Sequence, residues 1–206
     1  MKVLSQILQN KIIAIIRGAG SKDVLPIVQA LFEGGIRVVE ITLNSENAFE
    51  LIRELSSKMK DKMLIGAGTV LDLQSAKTAV RHGAQFIISP SLDIKVIQFV
   101  KQQKLVSIPG AFTATEILAA YNEGADIIKV FPALSPQYIK DLRGPFSHIP
   151  LMPTGGISLD NIREFQNAGA VAFGIGSSLV DASRQMTEDS LKQLTQKSNQ
   201  FIQAIK

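Results

Sequence analysis

Eight short runs rich in β-branched residues recur along this chain at intervals of roughly 20 to 26 residues. The segments between them repeat apolar residues at the spacing of one helix face, as in Val24, Val28 and Leu31. Strands that are almost wholly apolar and alternate with helices are typical of a parallel sheet covered by helices. The alternation therefore predicts an α/β fold. The predicted strands lie at 12–16, 38–43, 63–70, 85–89, 105–108, 127–131, 151–154 and 171–175.

The number of strand-helix units favours closure into a barrel. Eight-fold barrels usually need about 200 to 250 residues, and this chain has 206. We therefore predict one (β/α)8 TIM-barrel domain over residues 1–206, with a short amphipathic helix at its amino terminus. An open flavodoxin-like or Rossmann sheet is the alternative, although no G-x-G-x-x-G motif follows the first strand. Predicted helix ends are N-caps at Ser21, Thr113, Ser135 and Ser158, and C-terminal glycines at Gly34-Gly35, Gly83, Gly124 and Gly169.

Composition removes several kinds of chemistry. The chain has no cysteine and only two histidines, so thiolate nucleophiles, disulfides and zinc–cysteine sites are excluded and a metal site is not expected. We predict no cofactor. Catalysis would have to use lysine, carboxylate, hydroxyl or backbone groups.

Charge and hydropathy limit the partners. The net charge is +4, and the basic residues are scattered among acidic ones along the helices. This pattern argues against a nucleic-acid surface. No run approaches the roughly 18 apolar residues that span a bilayer, and the first ten residues lack the apolar core of a secretory signal. We expect a cytoplasmic protein whose partner is a small anionic molecule.

Lys129 is the most unusual residue of the predicted strands. It lies in the run Ile-Ile-Lys-Val-Phe-Pro at 127–132, where an ammonium would be buried. Burial lowers the pKa of an amine, which makes lysine nucleophilic towards a carbonyl at neutral pH. The alternative is a strand-end lysine that reaches solvent or pairs with a carboxylate.

Other polar residues stand at the predicted carboxyl ends of strands, where the active sites of barrels collect. Arg17 follows the first strand, Glu40 interrupts the second and Thr69 ends the third. Each has a structural alternative: a solvated strand end for Arg17, an ion-pair partner for Glu40, a β-forming residue or a cap for Thr69. Together with Lys129 they would bring a cation, a carboxylate, a hydroxyl and an amine to one rim.

The last two units end in glycine-rich segments, Thr-Gly-Gly at 154–156 and Gly-Ile-Gly-Ser-Ser at 174–178. Loops after strands seven and eight of a barrel, with the helix N-termini that follow, form its usual phosphate site. These segments therefore predict a phosphorylated substrate. Tight turns are the alternative explanation of the glycines.

In the order and spacing of its motifs, the chain resembles the bacterial 2-keto-3-deoxy-6-phosphogluconate (KDPG) aldolases and the overlapping 4-hydroxy-2-oxoglutarate (KHG) aldolases, from about residue 12 to 180. The motifs are Val-Glu-Ile-Thr-Leu at 39–43, Gly-Ala-Gly-Thr-Val at 66–70, Ile-Ser-Pro at 88–90, Pro-Gly at 109–110, Lys-Val-Phe-Pro at 129–132, Gly-Pro-Phe at 144–146 and Pro-Thr-Gly-Gly-Ile at 153–157.

The resemblance implies a homotrimeric class I aldolase that cleaves KDPG to pyruvate and glyceraldehyde 3-phosphate, and also acts on 4-hydroxy-2-oxoglutarate. It implies that Lys129 forms the Schiff base and that Glu40 moves protons. The residues implied around the pyruvate portion are Thr69, Pro90 and Phe131, and those implied for the phosphate are Gly155, Gly156 and Ser177.

One position departs from the family pattern. Family members commonly carry an arginine four residues after the glutamate, and here that residue is Asn44. We expect Arg17 to supply the missing positive charge. The run Leu-Asn-Ser at 43–45 also resembles the 2-keto-3-deoxy-6-phosphogalactonate aldolases, so the galactonate epimer is an alternative substrate.

Two other functions remain open from the residues alone. A phosphate-binding barrel isomerase or synthase would use Lys129 as a base or an electrostatic group without a covalent intermediate. A sugar-phosphate-sensing protein would keep the barrel and lack turnover, although the presence of both Lys129 and Glu40 argues against it.

Overall fold

The computed structural model describes residues 2–206, in which helices and strands alternate. The helices are α1 Lys2–Asn10, α2 Ser21–Glu33, α3 Ala48–Lys58, α4 Leu73–Arg81, α5 Ile94–Gln102, α6 Ala114–Asn122, α7 Pro136–Arg143, α8 Ile162–Asn167 and α9 Glu188–Ala204. The strands are β1 Ile12–Ile16, β2 Val38–Thr42, β3 Leu64–Gly68, β4 Phe86–Ile88, β5 Val106–Ile108, β6 Gly110–Ala111, β7 Ile128–Val130, β8 Leu151–Pro153 and β9 Phe173–Ile175.

The strands form two curled parallel sheets. The larger has the order β5-β4-β3-β2-β1-β9 and the smaller has the order β6-β7-β8. A single bridge between Thr154 and Gly174 joins β8 to β9. At the other junction, the Lys129 backbone N–H donates to the Pro109 carbonyl at 2.9 Å. The pairing confirms the predicted parallel α/β fold. The strands are paired as a six-stranded and a three-stranded sheet, however, and not as one continuous eight-stranded barrel.

The difference arises at the fifth predicted strand. The run 105–108 gives β5, and the chain then continues as β6 after Pro109. Proline has no N–H to donate to a ladder, so regular pairing stops there. Elsewhere the eight predicted strands are present, several of them shorter than the apolar runs that predicted them.

Helix ends were predicted with mixed success. Thr113 caps α6 in a capping box with Glu116, and Ser135 accepts the Tyr138 N–H at the start of α7. Ser21 and Ser158 are not N-caps, since Gly20 and Asn161 occupy those positions. The C-terminal glycines are confirmed, with φ between 90° and 99° at Gly35, Gly83, Gly124 and Gly169.

Apolar side chains form two cores, because alternate strand residues point to opposite faces of a sheet. The outer core lies between strands and helices and contains, for example, Val39, Ile52 and Phe173. The inner core is smaller, and Ile7 of α1 packs in it. The inner-core residues are Ile7, Ile13, Val38, Leu64, Phe86, Ile88, Val106, Ile108, Ile127, Met152 and Ala172.

The predicted amino-terminal amphipathic helix is confirmed, and its Ile7 packs in the inner core. Residue 1 of that predicted segment lies outside the described residues. No helix within residues 2–206 has both the length and the apolar character that crossing a bilayer requires.

Helix α9 packs closely on α2 through Gly34. A Cβ added to Gly34 would lie 2.4 Å from Ser198 Cβ and 2.5 Å from the Thr195 carbonyl oxygen. The φ of Gly34 is −75°, which any residue adopts, so the requirement for glycine here is steric.

We therefore expect Gly34→Ala to lower the free energy of unfolding by about 1 to 3 kcal/mol, because the added methyl overpacks the contact. Urea unfolding followed by circular dichroism measures this. Gly144→Ala is the matched control, since its nearest atom would be 3.3 Å away and its φ is −54°. Equal stability of the two variants would contradict the steric explanation.

Candidate active site

The carboxyl ends of the strands open into a cavity of about 460 Å³. Arg17, Lys129 and Phe131 line it together with Thr154. The loops after β8 and β9 form the rest of the wall, through Gly155, Gly156, Ile157 and residues 176–178 and 180–183. Parallel strands present all their carboxyl ends on one side, which is why residues far apart in sequence meet here.

Lys129 lies in the middle of β7 and is 3% exposed. Its register partners are Gly110 and Met152, and its Nζ lies 5.0 Å from the centroid of the Phe131 ring. Burial lowers the pKa of the Lys129 amine; the Glu40 carboxylate opposes this shift and the Arg17 guanidinium adds to it. The neutral, nucleophilic form of the amine is therefore easier to reach at the floor of this cavity than it is in water.

Glu40 lies in the middle of β2 and is 1% exposed. Neither of its carboxylate oxygens has a hydrogen-bond partner among the described residues. Burial raises the pKa of the Glu40 carboxyl, and the positive charges of Lys129 and Arg17 oppose that shift. An unpartnered buried carboxyl is costly, and its raised pKa suits a group that must take up and release a proton.

Two glycines of β3 make room for this arrangement. A Cβ added to Gly68 would lie 1.5 Å from Glu40 Oε1, and one added to Gly66 would lie 2.3 Å from the Phe86 ring. Gly66 is the register partner of Glu40 and Gly68 is that of Thr42. Gly68 therefore leaves space for the Glu40 carboxylate, and Gly66 leaves space for the Phe86 ring.

Arg17 is exposed and lines the cavity directly after β1. Its Nη2 donates to Thr69 Oγ1 at 3.5 Å. Thr69 has φ 55°, an uncommon conformation for a β-branched residue that costs of order 1 to 3 kcal/mol. Asn44 is exposed and does not line the cavity. Arg17 therefore lies at the site, and Asn44 does not.

The glycine-rich segments lie together on the other side of the cavity. Gly155 and Gly156 have φ values of 89° and 74°, which disfavour any side chain. Nothing lies within 4 Å of a Cβ built on Gly156 or Gly176, so their backbone is open to the cavity. Ser177 is exposed there, and the Ser178 hydroxyl donates to the Ile157 carbonyl. This wall offers backbone N–H groups and a hydroxyl to an anion.

Pro90 is a predicted site residue that stands outside this arrangement. It is half-buried and is absent from the residues that line the cavity. Its backbone packs on β6, since a Cβ on Gly110 would lie 2.3 Å from the Pro90 carbonyl oxygen. The structure thus places Pro90 beside the strand that pairs with Lys129. Thr69 does not line the cavity either, but it contacts Arg17, which does.

Thr154 is a residue that the sequence interpretation did not assign a role. It is 4% exposed, its Oγ1 has no hydrogen-bond partner in the described structure, and it lines the cavity. The only sequence signal was its place before Gly155-Gly156. A Cβ on Gly174 would lie 2.4 Å from Thr154 Oγ1, so Gly174 leaves the space that this hydroxyl occupies.

The site offers no set of metal ligands. Within residues 2–206, His, Asp and Glu side chains nowhere gather in groups of three or more that could hold a metal ion. The groups available for chemistry are an amine, a carboxyl, a guanidinium, hydroxyls and backbone N–H groups.

Replacing Glu40 with glutamine, which resembles the protonated carboxyl, should raise the free energy of unfolding at neutral pH. The folded state binds the Glu40 proton more tightly than the unfolded chain does, because the pKa is raised above its ordinary value of 4.5. The stabilisation that Glu40 contributes to the folded protein is thus fully present below pH 4.5, and it is lost as the pH rises through the raised pKa. The gain from Glu40→Gln should vanish in acid, and urea unfolding across pH measures it.

Glu116→Gln is the control with the opposite sign. Backbone N–H groups of Thr113 and Phe112 hold the pKa of the Glu116 carboxyl below 4.5. Its contribution is present above 4.5 and lost as the pH falls through the lowered pKa, so this variant should be less stable at neutral pH. A Glu40→Gln variant that is destabilised at neutral pH, as the control is, would contradict the prediction. It would show that the folded protein stabilises the charged form of Glu40.

Comparison with known proteins places this arrangement in a family. The family model described as KDPG and KHG aldolase matches residues 3–196. The 2-dehydro-3-deoxy-6-phosphogalactonate aldolase of Escherichia coli (strain K12) is 35% identical over 196 residues, which are 94% of this chain and 93% of that protein.

Two solved structures extend the likeness to the fold. One described as the native KDPGal structure is 34% identical, with a TM-score of 0.88 over 94% of this chain and 93% of that one. A KDPG aldolase from Legionella pneumophila, with pyruvate captured at low pH as a covalent carbinolamine intermediate, is 28% identical, with a TM-score of 0.82 over 98% and 96%. The family model and the relative each cover more than nine-tenths of the chain, and the chain belongs to the KDPG and KHG aldolase family.

Proposed function

We propose that this protein is a class I aldolase that cleaves KDPG to pyruvate and glyceraldehyde 3-phosphate, and also cleaves 4-hydroxy-2-oxoglutarate. The observation that carries the proposal is the amine of Lys129, buried at the floor of a cavity whose wall is suited to an anion. Burial lowers its pKa, which is the requirement for attack on a ketone at neutral pH.

The reaction begins at Lys129. Its neutral amine attacks the C2 carbonyl to give a carbinolamine, which loses water and becomes an iminium ion. The iminium then accepts the electron pair of the C3–C4 bond as that bond breaks. The Legionella pneumophila relative was captured with pyruvate as such a carbinolamine, which supports the same first step here.

Glu40 supplies the proton transfers. As the C3–C4 bond breaks, the Glu40 carboxylate takes the proton of the C4 hydroxyl, directly or through water, and glyceraldehyde 3-phosphate leaves. The protonated carboxyl then returns the proton to C3 of the enamine. Water hydrolyses the resulting iminium to release pyruvate and regenerate Lys129. A carboxyl without hydrogen-bond partners is free for both transfers.

The remaining site residues bind the substrate in this proposal. Arg17 binds its anionic groups, and Phe131 borders the pyruvate portion directly. Thr69, which hydrogen-bonds to Arg17, and Pro90 surround the same portion without lining the cavity. Gly155, Gly156 and Ser177 hold the phosphate through the open wall of the cavity. The unpartnered Thr154 hydroxyl is available to a substrate hydroxyl.

The galactonate epimer is the second candidate substrate. Its supporting observation is the 35% identical relative, which is named for the galactonate compound, and the Asn44-Ser45 run points the same way. Both epimers give the same two products, so Lys129 and Glu40 would act identically on each. Cleavage rates measured side by side on the two epimers decide between them.

The architecture proposed for the working enzyme is a closed eight-stranded barrel in a single domain. The Thr154–Gly174 bridge and the hydrogen bond from Lys129 to Pro109 support closure at the two junctions of the sheets.

We also propose that three copies of the chain associate as a homotrimer, and that the protein works in the cytoplasm. Exposed apolar side chains in the segments that follow β3, β4, β6 and β7 support association; they are Leu71, Ile94, Phe112 and Leu134.

Trapping with pyruvate and borohydride tests the covalent step. Wild-type protein should gain the mass of one pyruvate less one water plus two hydrogens, and Lys129→Arg should gain nothing, because a guanidinium keeps the charge but forms no imine. Mass spectrometry of the intact protein measures both. Lys101→Arg is the control, since Lys101 is a half-buried lysine paired with Asp126 at 2.6 Å, outside the cavity.

A wild-type protein that forms no adduct but still turns over a phosphorylated keto acid would favour a non-covalent isomerase or synthase. An adduct on Lys129→Arg would move the Schiff base to another lysine.

Arg17→Lys should lower kcat/KM by about one to two decades although the charge is kept. A charge-assisted hydrogen bond contributes roughly 1.5 to 3 kcal/mol, and lysine cannot reproduce the planar fork of arginine. Steady-state cleavage kinetics measure the loss. Arg53→Lys is the control on an exposed position of α3. Wild-type kinetics in Arg17→Lys and Arg17→Ala would show that another group binds the anion.

A further inference from the structure

We propose that the hydroxyls of Thr42 and Ser45 are a positioning device that fixes the backbone on both sides of Arg17 and so directs its guanidinium into the cavity. Thr42 and Ser45 do not line the cavity, so they act through Arg17 and not on the substrate. The inference rests on the anion-binding role proposed for Arg17.

The hydrogen bonds of this hydroxyl pair form a chain with a defined direction. The Thr42 hydroxyl donates to the Ile16 carbonyl at 3.3 Å. Its oxygen lies 2.9 Å from Ser45 Oγ, and Ser45 Oγ accepts the Gly18 N–H at 2.9 Å. Each hydroxyl has one proton, so the Ser45 proton goes to Thr42. The residues before and after Arg17 are thus both held by the same pair.

Arg17 itself has little to fix its direction. Its side chain is exposed, and the hydrogen bond recorded for it in the described structure is the 3.5 Å contact to Thr69, at the limit of such bonds. Gly18 follows with φ 70°, a conformation that a hydrogen bond to its N–H would stabilise. The peptide groups that flank Arg17 therefore carry most of its positioning.

A second contact joins the same two loops. Asn47, in the left-handed conformation at φ 52°, donates from Nδ2 to Ser21 Oγ at 3.1 Å. The loop that carries Arg17 is thus joined to the loop after β2 at both of its ends. Thr42 is also the last residue of the strand that carries Glu40, and it is fully buried. The position of Arg17 is therefore coupled to the buried strand that carries Glu40.

This coupling matters because a cation recognises an anion by geometry as well as by charge. A misplacement of about 1 Å in a supporting group can cost on the order of 10²-fold in rate. Among the described residues that line the cavity, Arg17 is the only arginine, so one guanidinium has to supply the recognition. Holding its backbone from both sides reduces the freedom that it would lose when substrate binds.

Single variants test the hydroxyl pair. Ser45→Ala and Thr42→Val remove one hydroxyl each without adding bulk, and each should lower kcat/KM for the phosphorylated keto acid by about threefold to tenfold, mainly through KM. Thr42→Ser keeps the hydroxyl and should keep most of the activity. Ser56→Ala is the matched control, because it removes a hydroxyl that donates to the Gly83 carbonyl at 3.0 Å, between neighbouring units and away from the cavity.

A double-mutant cycle with Arg17→Ala separates positioning from simple stability. If the pair acts through Arg17, Ser45→Ala should cause no further loss of kcat/KM in the Arg17→Ala background. Amide exchange of Gly18 measured by NMR should quicken in Ser45→Ala and stay unchanged in Ser56→Ala.

Three results would overturn the inference: wild-type KM in both Ser45→Ala and Thr42→Val, losses that add to those of Arg17→Ala, or unaltered Gly18 exchange. The failure of the proposed function is distinguishable from these. In that case the wild-type protein itself would form no pyruvate adduct with borohydride.

Discussion

The burial of an amine and a carboxyl, one on each of the two curled sheets, is the constraint on which the rest of this structure depends. Lys129 is 3% exposed and Glu40 is 1% exposed, and both oxygens of Glu40 lack a partner among the described residues. Desolvation moves the two pKa values towards each other, lowering that of Lys129 and raising that of Glu40. A pair tuned in this way can exchange protons with a substrate at neutral pH, and it costs stability that the two apolar cores must offset.

The strands make room for that pair by omitting side chains where the polar groups lie. Gly68 leaves the space of the Glu40 carboxylate, and Gly174 leaves that of the Thr154 hydroxyl. Below this level, towards the amino ends of the strands, the inner core is filled by aliphatic and aromatic residues and covered by Ile7 of α1. The reactive groups thus lie on a packed floor, which excludes water from one side and holds their rotamers.

The walls of the cavity divide recognition between a cation and open backbone. Arg17 stands on one side, directed by the hydroxyls of Thr42 and Ser45, and the glycine-rich loops after β8 and β9 stand on the other. This division fits a substrate with a carboxylate at one end and a phosphate at the other. Asn44 does not line the cavity, so of residues 17 and 44 it is Arg17 that contributes to this recognition.

The sequence by itself determined the alternation of strands and helices, the glycines that end the helices, and the presence of a lysine inside an apolar strand. These features depend on local periodicity and backbone preference, which a single sequence records. The tertiary structure alone decided that the sheets part at Pro109, that the buried Thr154 lines the cavity, and that Pro90 does not. It also decided that Glu40 lies close enough to Lys129 to shift its pKa. The face of the sheet on which a side chain lies depends on the register between strands that are many residues apart in sequence. The free-energy cost of burying a charged side chain depends on the groups that all the neighbouring strands place around it.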